Sequence, residues 1–209
     1  MKKAVIALAI AGFASSAMAA IEGGPHDLST RAGNTSYSSC QFCHAPHFAN
    51  TEGSYGAIPL WNRVTPNTAT YQTNVGVAGM GAGSWTCLSC HDGVADMGQS
   101  YSGSNAGLTN PTIGDNSYAN VGRTFGQPMG ANPDLRDDHP VGVAFVGGGE
   151  MKDLVDVQAT ALRLYDYGSG PMVECGSCHE PHLTADGAQG GGDSMLRLST
   201  GLCSACHAK

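Results

Sequence analysis

Eight cysteines and eight histidines occur among the 209 residues, and every cysteine falls into one of four like frames. These are Cys40-Gln41-Phe42-Cys43-His44, Cys87-Leu88-Ser89-Cys90-His91, Cys175-Gly176-Ser177-Cys178-His179 and Cys203-Ser204-Ala205-Cys206-His207. C-x-x-C-H is the attachment signature of a c-type haem. Its two thiols form thioether bonds to the porphyrin, and the next residue on the same turn lies under the iron, where histidine becomes the proximal ligand. Zinc sites and thioredoxin-like redox pairs also use paired cysteines. Zinc sites do not need a histidine directly after each second cysteine, and redox pairs rarely occur four times. Four frames that use every cysteine therefore point to four haems. Cys40, Cys43, Cys87, Cys90, Cys175, Cys178, Cys203 and Cys206 attach them, and His44, His91, His179 and His207 are the proximal ligands.

Four histidines remain: His26, His47, His139 and His182. A six-coordinate haem iron needs one further donor, so supply matches demand and bis-histidine ligation at all four irons is expected. Spare and proximal histidines alternate along the chain. His47 lies in Cys-His-Ala-Pro-His and His182 in Cys-His-Glu-Pro-His. Three residues of chain span at most about 10 Å, too little to carry the second histidine to the far face of its own porphyrin. Pro46 and Pro181 stiffen that link, so each second histidine should serve a neighbouring haem. Sequence order suggests the couples His26–His44, His47–His91, His139–His179 and His182–His207. Methionine ligation stays open by count, since six methionines lie beyond residue 20.

The elements that must position these donors are sparse. Glycine contributes 30 residues, aromatics only 7% and charged residues only 13%. Such a chain has little with which to build a large side-chain core, and four porphyrins would supply the missing apolar interior. The expected fold is mostly irregular coil with a few short helices and a small β-hairpin, a multihaem cytochrome c wrapped around four haems. Leu162 to Tyr165, the turn Tyr167-Gly168-Ser169-Gly170 and Met172-Val173-Glu174 read as the hairpin leading into the third motif. Val141 to Val146 reads as a short strand, Asp153 to Ala161 as a short helix, and Ser199-Thr200 as the start of a helix at the last motif. Residues 92–138, rich in Gly, Asn and Ser, read as loop.

Residues 1–19 read as a secretory signal peptide, with Lys2 and Lys3, an apolar run from Ala4 to Ala14, and the small-x-small site Ala17-Met18-Ala19. The run is too short to span a bilayer. Residues 20–209 then form one tetrahaem domain: a haem pair over 26–91, the loop-rich middle, and a haem pair over 139–207. The two halves repeat the same ligand order with different spacings. Loss of Lys2 and Lys3 takes the formal charge from −7 to −9. With no basic run, nucleic acid is not an expected partner, and no later segment is apolar enough to cross a membrane.

Val173 to His182, Leu196-Arg197-Leu198 and Leu202 to His207 resemble the doubled C-x-x-C-H segment of the multihaem c-type cytochromes. Asp138-His139-Pro140-Val141-Gly142 resembles their distal-ligand motif. The whole-chain plan is similar to that of the tetrahaem outer-surface cytochromes of metal-reducing bacteria. That resemblance implies polymerisation into extracellular conductive filaments (nanowires) with a continuous haem chain. Implied partners are other copies of the chain, other multihaem cytochromes and extracellular metal oxides or electrodes. A soluble periplasmic tetrahaem shuttle is the alternative. A haem reductase ranks last, because eight histidines for four irons leave no open coordination position, and no enzyme activity is expected.

Overall fold

The computed structural model describes residues 21–22, 26–30, 38–52, 58–65, 71–73, 79–91, 102, 135–136, 138–183 and 195–208. The signal segment and most of the 92–138 stretch lie outside them. The described chain is dominated by turns, with four short helices: α1 (Ala82–His91), α2 (Leu154–Gln158), α3 (Cys175–Cys178) and α4 (Leu202–Cys206). Two 3-10 turns, Leu28–Thr30 and Ser39–Phe42, precede them. Among the described residues no helix is long and apolar enough to cross a membrane.

Three strands form an antiparallel sheet in the order β1-β3-β2, with β1 Val143–Ala144, β2 Tyr165–Asp166 and β3 Pro171–Val173. Val143 faces Val173, and Tyr165 faces Met172. The β2–β3 turn is closed by Asp166, whose Oδ1 accepts from the N–H groups of Gly168 (2.7 Å) and Gly170 (3.1 Å). The strand expected over 141–146 is thus only two residues long, extended by turns at Gly142 and Phe145. The last helix begins at Leu202, behind Gly201 at φ +68, and not at Ser199-Thr200. Glycine takes that left-handed conformation without a Cβ penalty.

Apolar packing is divided between two small clusters. Phe145, Val157, Leu162 and Ala205 join the sheet to α2 and α4. Met80, Leu88 and Leu135 pack around α1. The halves of the sequence interlock where α1 meets α3. Glu174, buried just ahead of α3, accepts hydrogen bonds from the Gly81 N–H (2.8 Å) and the Ser84 hydroxyl. Ser84 also receives the Cys175 N–H at 3.0 Å. Gly176 faces the Tyr165 ring and the Gly83 carbonyl so closely that a side chain there would collide.

Candidate functional site

All four C-x-x-C-H frames fold as a single helical turn. The His44 N–H reaches the Cys40 carbonyl at 2.9 Å, His179 that of Cys175 at 3.1 Å, and His207 that of Cys203 at 2.9 Å. The second frame lies within α1. Residues three and four apart on a helix share a face, so one turn presents both thiols and the imidazole together.

Neighbouring frames are close to one another. Burial pushes the Cys43 thiol up to about 12, and the Cys90 thiol adds to the rise. The neighbouring Cys175 thiol raises Cys87, and Cys87 in turn lowers Cys175. Cys178 is raised by burial and then by Cys206, Cys175 and Cys203. Cysteines of consecutive frames thus lie near enough to act on one another.

Six of the eight histidines meet in ring couples. His26 and His91 have centroids 5.9 Å apart with planes at 71°. His44 and His182 are 6.4 Å apart at 15°, and His139 and His207 are 6.4 Å apart at 71°. Such separations also occur in ordinary aromatic contacts. Their membership is what carries chemical meaning, because each couple joins one histidine that follows a C-x-x-C with one that does not. Two metal–imidazole bonds of about 2 Å each, plus the ring radii, span roughly 6 Å. No cluster of three or more His, Cys, Asp or Glu side chains suited to a metal ion occurs among the described residues. The histidines come in twos, the number an axial pair requires.

These couples differ from those suggested by sequence order. His182 faces His44, not His207, and His26 faces His91, not His44. The Cys-His-Glu-Pro-His segment of the second half lies against the first half. The carbonyl of Pro181 accepts from His26 Nδ1 at 3.2 Å, while the adjacent His182 meets His44. Sequence order holds no record of that packing. His47 and His179 are exposed. His47 sits between Pro46 and Phe48, which is 85% exposed.

Hydrogen bonds set which ring nitrogen is free. His44 Nδ1 donates to the Pro59 carbonyl at 2.8 Å, and His139 Nδ1 to the Pro140 carbonyl at 3.0 Å. His182 Nδ1 donates to Glu180 Oε1 at 2.8 Å. With Nδ1 donating, Nε2 keeps the lone pair, which is the form metal-ligating histidines take. Burial, and secondarily His182, hold His44 below its ordinary pKa against the raising effect of the Pro59 carbonyl. That favours the neutral ring that binds metal. The Glu180 carboxyl is held down to about 2, first by the His182 hydrogen bond and then by Arg197, against burial.

A covalently held, axially ligated porphyrin fits these donors: thiol pairs beside each proximal histidine, and ring couples with Nε2 available. The indole N–H of Trp61 points the same way. It is buried with no acceptor, although Trp61 packs edge-on to His44 at 5.9 Å. Leaving such a donor unpaired costs about 1–3 kcal/mol, and a haem propionate beside His44 would relieve it. No protein-family model matches this chain, and no curated protein does. Glu180, Arg197 and the carbonyls of Pro59, Pro140 and Pro181 were not legible as site residues. Only Glu180 left a trace, as the carboxylate that replaces Ala45 in the otherwise similar Cys-His-x-Pro-His frame.

Proposed function

We propose that the chain is an electron-transfer protein carrying four covalently attached c-type haems, each iron held between two histidines. The observation that carries this reading is the membership of the three ring couples, each pairing a proximal histidine with a spare one. When bound, the haems supply one-electron chemistry at iron. The chain's own residues attach them through the eight cysteines and hold their axial positions. The His139–His207 and His44–His182 couples lie at frames consecutive with those of His91 and His179, so electrons need cross only short gaps. The fourth iron would take His179 from its own frame and His47, the spare histidine outside the three couples. Two histidines per iron fill both axial positions, which favours electron transfer over reduction of a bound substrate, and compared with methionine they favour a low potential.

The chain works as a subunit of an extracellular conductive filament, delivering electrons to metal oxides or electrodes. This step rests on the resemblance of the whole-chain plan to the tetrahaem filament cytochromes. Two measurements test the proposal. Haem-stained denaturing gels and pyridine haemochrome spectra should give four covalent haems per chain, and fewer would refute the cofactor reading. Negative-stain microscopy of protein sheared from cells should show filaments. Dispersed monomers would replace the filament by the periplasmic shuttle.

A further inference from the structure

The histidines do not share the same second partners. Of the four whose Nδ1 acceptor is shown, His26, His44 and His139 donate to peptide carbonyls, whereas His182 donates to a carboxylate. Glu180 Oε1 accepts from the His182 ring at 2.8 Å and from the His182 backbone N–H at 3.3 Å. Its other oxygen, Oε2, accepts from Arg197 Nη2 at 2.8 Å.

The carboxylate is aimed by a local frame. His179 and Leu196 form an antiparallel bridge, flanked by the bonds Glu180 N–H to Met195 carbonyl (2.9 Å) and Arg197 N–H to Cys178 carbonyl (2.8 Å). Arg197 Nε donates to the Gly176 carbonyl at 2.8 Å, which fixes the guanidinium. In the corresponding frame of the first half Ala45 stands where Glu180 stands, and it offers no acceptor.

A carboxylate that accepts the Nδ1 proton gives the imidazole part of the character of an imidazolate, making it a stronger donor at Nε2. A stronger axial donor stabilises ferric over ferrous iron, and second-shell hydrogen bonding is one of the levers on haem potential. Resting on the tetrahaem reading above, we propose that Glu180 is a positioning residue that holds His182 and makes the iron between His44 and His182 lower in potential than the irons of the other two couples. The plainer role, a carboxylate that only ties Arg197 across the bridge, predicts no effect of its own on that iron.

The ring planes identify the centre spectroscopically. Near-parallel axial imidazoles give ferric haem a rhombic low-spin EPR signal, and crossed ones a signal with one very large g-value. The His44–His182 planes meet at 15°, against 71° in the other two couples. Stepwise reduction of the intact protein, followed by EPR, should therefore leave a rhombic signal after both large-g signals have gone. Loss of every rhombic signal before the large-g signals overturns the proposal without any variant. In Glu180→Gln, one of the four potentiometric waves should move positive and the rhombic g-spread should change, with the other three waves moved by less. In Arg197→Gln, which leaves the carboxylate on His182 alone, the same wave should move negative. Equal shifts in the two variants, or none in Glu180→Gln, would reduce Glu180 to a structural tie. A parent protein without four covalent low-spin haems would instead sink the tetrahaem reading itself.

Discussion

On the tetrahaem reading, a histidine that follows the second cysteine of a C-x-x-C-H turn would be fixed by covalent chemistry, whereas a spare histidine is held only by packing and by its Nδ1 acceptor. Removing a spare histidine should therefore open one iron while leaving all four haems attached. His26→Ala, His139→Ala and His182→Ala should each bind carbon monoxide at one haem of four after reduction, measured as a Soret difference spectrum, and the parent should bind none. The particular couple can be tested too. His182→Ala combined with Cys203→Ser and Cys206→Ser should keep its carbon monoxide site, because His182 faces His44. Loss of the site in that combination would restore the sequential couple His182–His207. At this scale the sequence was highly legible for the types and number of donors. It was silent on partners, since a ring couple between residues 44 and 182 depends on how two distant segments pack.

Short elements follow their local residues closely. Each C-x-x-C-H reads as a turn and folds as one, and the hairpin expected from Tyr167-Gly168-Ser169-Gly170 lies between β2 and β3. What could not be read was the tie between α1 and α3, because Glu174 looks like any polar residue ahead of a helix. It is instead a buried acceptor for Gly81 and Ser84. Glu174→Ala strands two buried donors and should cost roughly 1–3 kcal/mol of unfolding stability. Burial raises the Glu174 carboxyl above its ordinary value, against the two hydrogen bonds. A raised folded value means that the folded chain holds this proton longer than the unfolded chain does. Stability from this group is thus highest below the ordinary carboxylate range and falls as pH climbs through the raised value. Urea unfolding between about pH 4 and pH 7 should show this decline in the parent and lose it in Glu174→Gln. An unchanged slope in that variant would mean that Glu174 ionises as freely in the folded chain as in the unfolded one.

For the molecule as a whole, the ligand order repeats between the halves, yet the halves do not fold as separate units. The packing of α1 on α3 joins the second frame to the third, and the His44–His182 couple ties the first half to the second. Among the described residues the apolar clusters around α1 and around α2 and α4 are small, and four porphyrins would add to the interior. On the tetrahaem reading, frames packed as closely as α1 and α3 would hold their porphyrins within strong transition-dipole coupling. The Soret circular dichroism of the intact protein should therefore be bisignate, as coupled chromophores require, and not a sum of four single bands. On the tetrahaem reading, Cys87→Ser with Cys90→Ser would remove one porphyrin of the four. The His44–His182 couple keeps the first and third frames neighbours, so the couplet should persist at reduced size. A couplet of undiminished size would mean that the second haem lies apart from the chain of contacts, and the continuous path on which conduction depends would be lost with it.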